Sequence, residues 1–274
     1  MNPLESPEPV AEVARTRPTS GVQSLDRAFA ILEAMADAGG MIGLSQLAAA
    51  ADLPLATIHR LVRTLVDLGY VRQEPSRQYS LGPRLLRLTD ATSKRIGAWA
   101  NPHISEVVEK LGESVNLAML DGDEIVYVAQ VQPTRNFMRM FTEVGRRTLP
   151  HATAVGKAML ASAPPEEVTA LLRRTGMPRY TDTTLTTPEE FLAALGRTRE
   201  RGYALDDGEQ EVGVRCVAVQ VPDALRPMAL SMSGPLPRMT DERITEAVPH
   251  LDEAARRISD ELSGAGRLAS VGRV

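Results

Sequence analysis

A single cysteine, Cys216, excludes an internal disulfide, and only four histidines are scattered through the 274 residues. None of them has cysteine or histidine partners at ligand spacing, so no structural metal site is expected. No apolar run approaches the roughly 18 residues that a membrane-spanning helix needs, which excludes a transmembrane protein. The first twenty residues lack the basic start and apolar core of a secretory signal, carrying instead Glu5, Glu8 and Glu12 among four prolines. Export is not expected, and a cytoplasmic location is. The chain also lacks a Gly-x-Ser-x-Gly elbow and a P-loop, and no cofactor is expected.

What is present suits two modules, since domains usually run about 100 to 200 residues. The 43% hydrophobic and 24% charged composition is that of a soluble protein, and the net charge of -4 is unevenly spread. Between Leu55 and Arg95 eight basic residues face three acidic ones, whereas from Trp99 onward twenty face twenty-five. The front of the chain is therefore a candidate for binding a polyanion and the back is not.

Residues 1–20, rich in Pro, Glu and Thr, read as a disordered tail. From Val22 to Ala36 the apolar residues Leu25, Ala28, Phe29, Leu32 and Met35 recur at the helical period, and Gly39 and Gly40 end the segment. A second short helix carries Leu44, Leu47, Ala48 and Ala51 on one face; Asp52, Leu53 and Pro54 turn the chain into a third helix from Leu55 to Leu68. That helix is expected to bury Ile58, Leu61, Val62, Leu65 and Leu68 and to expose Ala56, His59, Arg60, Arg63 and Asp67. Two short alternating segments around residues 74–77 follow as a hairpin. Three helices with a tight turn and a hairpin describe a winged helix-turn-helix over residues 21–82. A linker helix is expected over 83–98.

Exposed arginine and histidine on the third helix suit the major groove of double-stranded DNA, and Ala56, Thr57, His59, Arg60 and Arg63 are the readout candidates. Ser45 and Gln46 at the start of the second helix are placed to meet a phosphate, and Arg72, Arg77 and Gln78 on the wing to meet the backbone or minor groove. Taken singly, each arginine is equally well a solvated surface residue.

Beyond Trp99 the pattern becomes mixed α/β. Helices are expected at Ile104–Leu111, Thr153–Ala163, Glu166–Arg174 and Pro188–Arg201, the last with a capping box of Thr187 and Glu190. Strands are expected at Ser114–Leu120, Glu124–Val131, Phe137–Thr142, Cys216–Val221 and Met228–Ser233, the first two joined by a tight Asp121-Gly122-Asp123 turn. A C-terminal helix is expected from Asp241 to Leu262, kinked at Pro249, with a tail over residues 265–274. A helix start at Thr153 offers unpaired N–H groups to an anion, beside the small residues Ala154, Val155 and Gly156. Ser231 and Ser233 share a strand face as donors, Asp206 is an acceptor, and Cys216 adds a small polarizable wall. Each has a plainer reading too: a sheet serine, a buried small hydrophobe, and for Asp206 and Asp207 a turn. A rival from another class is a hydrolase-like enzyme with Cys216 as nucleophile, His151 as base and Asp206 as orienter. A pure ligand-binding scaffold is a third.

Residues 21–32 (GVQSLDRAFAIL), 53–65 (LPLATIHRLVRTL), 69–72 (GYVR) and 79–82 (YSLG) resemble the DNA-binding domain of IclR-type bacterial transcriptional regulators. Residues 149–158 (LPHATAVGKA), 201–209 (RGYALDDGE), 213–218 (GVRCVA) and 230–235 (LSMSGP) resemble their effector domain. The resemblance runs in order from about Gly21 to Gly264. It implies an α+β chain: the winged helix-turn-helix, the linker helix, and a GAF-like α/β effector-binding and oligomerisation domain with an antiparallel sheet over 99–264. It also implies a homodimer or dimer of dimers on operator DNA, acting as a repressor or an activator, here a repressor of a catabolic operon. The effector it implies is a small carboxylate-type metabolite such as glyoxylate, pyruvate or a ureide, held at positions matching Ala154, Val155, Asp206, Cys216, Ser231 and Ser233. Members often carry Gly at Asp52 and a small hydroxyl residue at Ala56, which implies one missing phosphate or base contact here. Members with Gly and Ala in place of Ala154 and Val155 would have a roomier site.

Overall fold

The computed structural model describes residues 22–88, 98–134 and 142–271, and the chain forms two compact units on either side of residues 89–97. The expected tail over 1–20 lies outside the described residues. In the first unit α1 (Gln23–Asp37), β1 (Met41–Ile42), α2 (Leu44–Ala50), α3 (Leu55–Asp67), β2 (Val71–Gln73) and β3 (Tyr79–Leu81) follow one another. The helical period turns Ile31 and Met35 of α1, Leu47 of α2, and Ile58, Val62 and Leu65 of α3 into one core with Val71. Leu61 is only half-buried and Leu68 is exposed, because the chain turns away immediately afterwards at Gly69. There Tyr70 N–H reaches the Leu65 carbonyl and Gly69 N–H the Val66 carbonyl, both at 2.9 Å, with Gly69 at φ +78°. This is a Schellman ending, which needs a left-handed residue.

Asp52 holds the corresponding position after α2, at φ +47°, with Leu53 N–H donating to the Ala48 carbonyl at 3.1 Å. Glycine adopts that conformation without a steric penalty, and Asp is among the few other residues that tolerate it. The wing sheet has the antiparallel order β1-β3-β2; β1, absent from the sequence reading, pairs Met41 with Ser80 and Ile42 with Tyr79. Of the expected linker helix, residues 84–88 are helical, 98–100 form a single 3-10 turn, and 89–97 lie outside the described residues.

The second unit comprises α4 (Asn101–Leu111), β4 (Ser114–Asp121), β5 (Glu124–Val131), β6 (Arg147–Thr148), α5 (Ala154–Leu160), α6 (Pro165–Thr175), α7 (Pro188–Arg201), β7 (Ala204–Asp207), β8 (Val214–Val221), β9 (Met228–Pro235) and α8 (Asp241–Val271). Its sheet is antiparallel throughout, in the order β6-β5-β4-β9-β8-β7. Alternation along the strands sorts side chains onto two unlike faces. One carries Leu117, Val217, Val219, Leu230 and Met232, buried against Ile104 and Leu111 of α4 and Ile244, Leu251 and Ile258 of α8. The other carries the small residues Ala118, Cys216, Ala218 and Ala229 with Ile125 and Tyr127, and is covered by Ala154, Val155, Ala158 and Met159 of α5. Around it, α6 and α7 close a further cluster of Val168, Leu171, Leu172, Phe191 and Leu195 on Leu160. The capping box at α7 forms as expected, Glu190 N–H donating to Thr187 Oγ1 and Thr187 N–H to Glu190 Oε2, each at 3.3 Å. The turn between β4 and β5 is the tight one expected, with Gly122 at φ +66°.

The strand expected at Phe137–Thr142 lies, but for Thr142, outside the described residues; among the described residues β6 pairs with β5, Thr148 opposite Ile125. Two expectations need correction. Asp206 and Asp207 are not a turn but the end of β7, paired with Cys216 and Arg215. The C-terminal helix does not stop near Leu262: α8 continues through Pro249 to Val271, taking in most of the expected tail. Ala265, Arg267, Leu268 and Ala269 are strong helix formers, and Gly264 and Gly266 weaken a helix without ending it.

Candidate functional site

On the first unit the candidate residues form an exposed face. Ile58, Val62 and Leu65 anchor α3, which leaves Ala56, His59, Arg60 and Arg63 exposed and Thr57 half-buried. Ser45 and Gln46 are exposed in the first turn of α2, where Gln46 Oε1 caps the chain by accepting from Gly43 N–H at 3.2 Å. The wing's tip is a tight turn closed by Arg77 N–H on the Glu74 carbonyl at 2.9 Å, with Arg77 itself left-handed at φ +64° and exposed. Arg72 lies 3.2 Å from Glu74 and Ser80 donates to the same carboxyl at 2.5 Å, so Ser80 first and Arg72 after it hold Glu74 below the usual carboxylate range. Gln78 accepts from Ser76 at 3.4 Å. Arg72 and Gln78 are thus partly engaged inside the wing, whereas Arg60, Arg63 and Arg77 stand outward.

On the second unit, six of the seven residues expected at the effector site line one cleft: Ala154, Val155, Asp206, Cys216, Ser231 and Ser233. Strand register brings them together, Asp206 lying opposite Cys216 on β7 and β8, and Cys216 opposite Ser233 on β8 and β9. The cleft measures about 400 Å³ with its open mouth. Thr153, extended at φ -128°, caps α5 by accepting from Gly156 N–H on its Oγ1 at 3.0 Å. The amides of Ala154 and Val155 have no partner within a helix that starts there. With only seven residues in α5, those local N–H groups matter more than any macrodipole.

Gly156 itself does not line the cleft. A Cβ there would lie 2.2 Å from the Pro150 carbonyl oxygen, so this glycine lets α5 pack on the preceding turn and has a structural role instead.

Thr153 also lines the cleft, and Tyr127, Thr142, Gln210, Glu211 and Val214, which were missed in the sequence, complete the walls. Tyr127 is signalled by alternation with Ile125 once the hairpin register is known; the loop residues carry no local signal. Burial pushes the Tyr127 phenol well up, keeping it a neutral donor. Ser233 accepts from Asn116 Nδ2 at 3.5 Å, and Gln130 Nε2 donates to Asn116 Oδ1 at 2.8 Å and to the Thr142 carbonyl at 2.7 Å. Behind Asp206 lies a buried ion pair, Lys157 Nζ to Glu209 Oε1 at 2.5 Å, with Lys157 also donating to the Leu205 carbonyl at 2.7 Å. Asp206 Oδ1 accepts from Glu209 N–H at 2.7 Å. Burial above all, helped by the Glu209 charge, holds the Asp206 carboxyl up at about 7.

The hydrolase arrangement is not assembled. His151 is fully buried, bonded through Nε2 to the Pro178 carbonyl at 2.9 Å and stacked on Tyr180 at 5.7 Å, and it is not a wall of the cleft. Burial also pushes the Cys216 thiol well up, away from the thiolate a nucleophile requires. Among the described residues no helix is long and apolar enough to cross a membrane.

Known proteins share this arrangement. Residues 24–75 match the IclR helix-turn-helix domain, and residues 89–260 match the bacterial transcriptional regulator IclR C-terminal family. The chain is 37% identical over 254 residues to the transcriptional repressor IclR of Escherichia coli (strain K12), covering 90% of this chain and 92% of that one. It is 38% identical over 254 residues to the acetate operon repressor of Salmonella typhimurium, with the same coverage of 90% and 92%. Among solved structures, an IclR homolog complexed with 4-hydroxybenzoate from Microbacterium hydrocarbonoxydans matches with a TM-score of 0.73 at 26% identity, over 88% of this chain and 99% of that one. With both halves matched in order, an exposed recognition helix in one and a hydroxyl-lined cleft in the other, the chain belongs to the IclR family of bacterial transcriptional regulators.

Proposed function

We propose that this regulator is a cytoplasmic repressor of a catabolic operon, released from its operator by a small carboxylate bound in the cleft of the second unit. The observation that carries the reading is the division of labour between units. In a chain of net charge -4, α3 and the wing carry the exposed Arg60, Arg63, Arg72 and Arg77, while the polar donors Ser231 and Ser233 are 3% and 2% exposed in a cleft. Ala56, Thr57, His59, Arg60 and Arg63 read base edges; Ser45, Gln46, Arg72, Arg77 and Gln78 hold the backbone. Ser231, Ser233, Cys216, Asp206 and the amides of Ala154 and Val155 hold the effector. The hydroxyl and amide donors suit a small acid such as glyoxylate, pyruvate or a ureide, and the aromatic acid held by the Microbacterium homolog supports a carboxylate as the common feature.

No residue is assigned a catalytic role. A homodimer, or a dimer of such dimers, suits a pseudo-palindromic operator. It is supported by Val22, Leu25 and Phe29, which follow one another at helical spacing and are 64%, 58% and 61% exposed.

The test is a mobility shift of DNA from upstream of the chain's own gene, with and without glyoxylate, pyruvate or a ureide. Sequence-specific retardation relieved by one of these compounds is expected. The double variant Ser231→Ala, Ser233→Ala retains the shift and loses the relief. Retardation that ordinary competitor DNA abolishes equally well would overturn the reading.

A further inference from the structure

Among the described residues the cleft is walled by the Asp206 carboxyl and by no lysine or arginine; Glu211, also in the wall, is itself engaged. That is an unexpected lining for a site that holds an anion. The nearest buried cation, Lys157, has a side chain only 3% exposed and is matched by Glu209 at 2.5 Å. One ammonium and two carboxyls therefore lie together with little exposure to water. If Asp206 were ionised, one negative charge would stay buried and unmatched, and an anionic ligand would set a second beside it.

We propose that the cleft takes up its anionic effector together with one proton from solvent, held on the Asp206 carboxyl, which donates its hydrogen bond to the ligand. Apart from the O–H bond that this solvent proton makes, no covalent bond is made or broken. The inference rests on the reading of the cleft as a carboxylate site and adds the charge balance that reading requires.

The geometry prepares Asp206 for this. Its Oδ1 is oriented by Glu209 N–H at 2.7 Å, and its strand places it opposite Cys216 and one step along the cleft wall from Ser233. Burial and Glu209 hold the carboxyl near neutrality at about 7, against the pull of Lys157 and of the Glu209 and Gln210 backbone N–H groups. Among the described residues, the other groups around it add no positive charge. Tyr127 on β5 and Cys216 on β8 are kept neutral by burial. Asp207, next on the strand, is spent on Arg215. Lys157 on α5 is the cation that acts on Asp206.

The experiment is calorimetric titration of the full-length protein with glyoxylate, pyruvate and 4-hydroxybenzoate at pH 6, 7 and 8, in buffers of different ionisation enthalpy. All three probes are carboxylates throughout this range. For a carboxyl that titrates near 7, uptake approaches one proton per bound anion at pH 8 and fades toward pH 6, and Kd rises roughly fivefold from pH 7 to pH 8. Asp206→Asn presents an N–H donor in place of the acid O–H, and is expected to bind without proton uptake and with a Kd independent of pH. Its thermal melt, recorded alongside, verifies folding. A wild-type protein that binds with no proton exchange, or an Asn variant that keeps the pH dependence, overturns the inference and leaves the carboxylate site standing. If none of the three anions binds at any pH, the carboxylate reading falls, and the inference with it.

Discussion

In residues 22–88 the side chains assigned to recognition stand in solvent: Arg60, Arg63 and Arg77 are exposed, and the arginine of the wing's ion pair, Arg72, is 63% exposed. In residues 98–271 they are enclosed: Asp206, Ser231 and Ser233 are 2–3% exposed, and the ion pair behind them is 3% and 10% exposed. Water screens the first set and leaves its charges nearly independent of the fold. Charges in the second set must be matched by neighbours or neutralised. The winged unit can therefore change its contacts with little cost in stability, whereas loss of either partner of the buried ion pair disturbs the core of the cleft unit.

The largest test of that contrast removes one partner from each ion pair. Glu209→Ala removes the carboxyl bonded to the buried Lys157 ammonium and is expected to cost about 3–5 kcal/mol in denaturant unfolding of the cleft unit. Glu74→Ala in the wing is expected to produce no measurable change, since its Arg72 partner is solvated. Comparable losses from both variants would end the distinction.

Two glycines sharpen it. Gly156→Ala would push a Cβ to 2.2 Å from the Pro150 oxygen, and Gly82→Ala to 2.3 Å from the Gly69 oxygen. Each is expected to destabilise its own unit by about 3 kcal/mol. In calorimetry of the full chain the first lowers the melting of the cleft unit and abolishes effector response, while the second lowers that of the winged unit and abolishes operator binding.

Next comes pH. The Asp206 carboxyl sits at about 7 in the folded chain against an ordinary value of 3.8, so between those values the folded state holds a proton that the unfolded state has released. Stability must then fall as pH rises from about 4 to about 7, and change no further above that. Between pH 5 and pH 8 this amounts to roughly 2–3 kcal/mol, and the difference between wild type and Asp206→Asn across a pH series of denaturant melts isolates it. A variant whose stability tracks the wild type at every pH would contradict the assignment.

The smallest effect concerns the exposed side. Arg60→Ala and Arg63→Ala are each expected to weaken operator binding by roughly 1–3 kcal/mol where a bidentate base contact is lost. Fluorescence anisotropy measures the affinity, and the melting temperature is expected to stay put. If affinity survives both changes in a folded protein, α3 is not the reading element.

Local rules made the winged unit legible. A helix repeats every 3.6 residues whatever lies around it, so the spacing of Ile58, Val62 and Leu65 places Arg60 and Arg63 outward before any tertiary contact is known. Turn chemistry is equally local at Gly69, at the Asp121-Gly122-Asp123 hairpin and at the Thr187–Glu190 capping box. Strand β1 escaped notice because two residues carry no period, and β7 because Asp206 and Asp207 ahead of Gly208 have the composition of a turn.

The cleft was legible by resemblance and by the alternation of Ser231 and Ser233, but its assembly was not. Asn116 meets Ser233 across 117 positions of sequence and Lys157 meets Glu209 across 52. Periodicity therefore determined which residues could face outward and which inward, element by element, from the sequence itself. Only the tertiary structure decided which buried polar groups share one volume, because strand register is set by side-chain packing on both sheet faces at once, and a one-residue slip would exchange those faces.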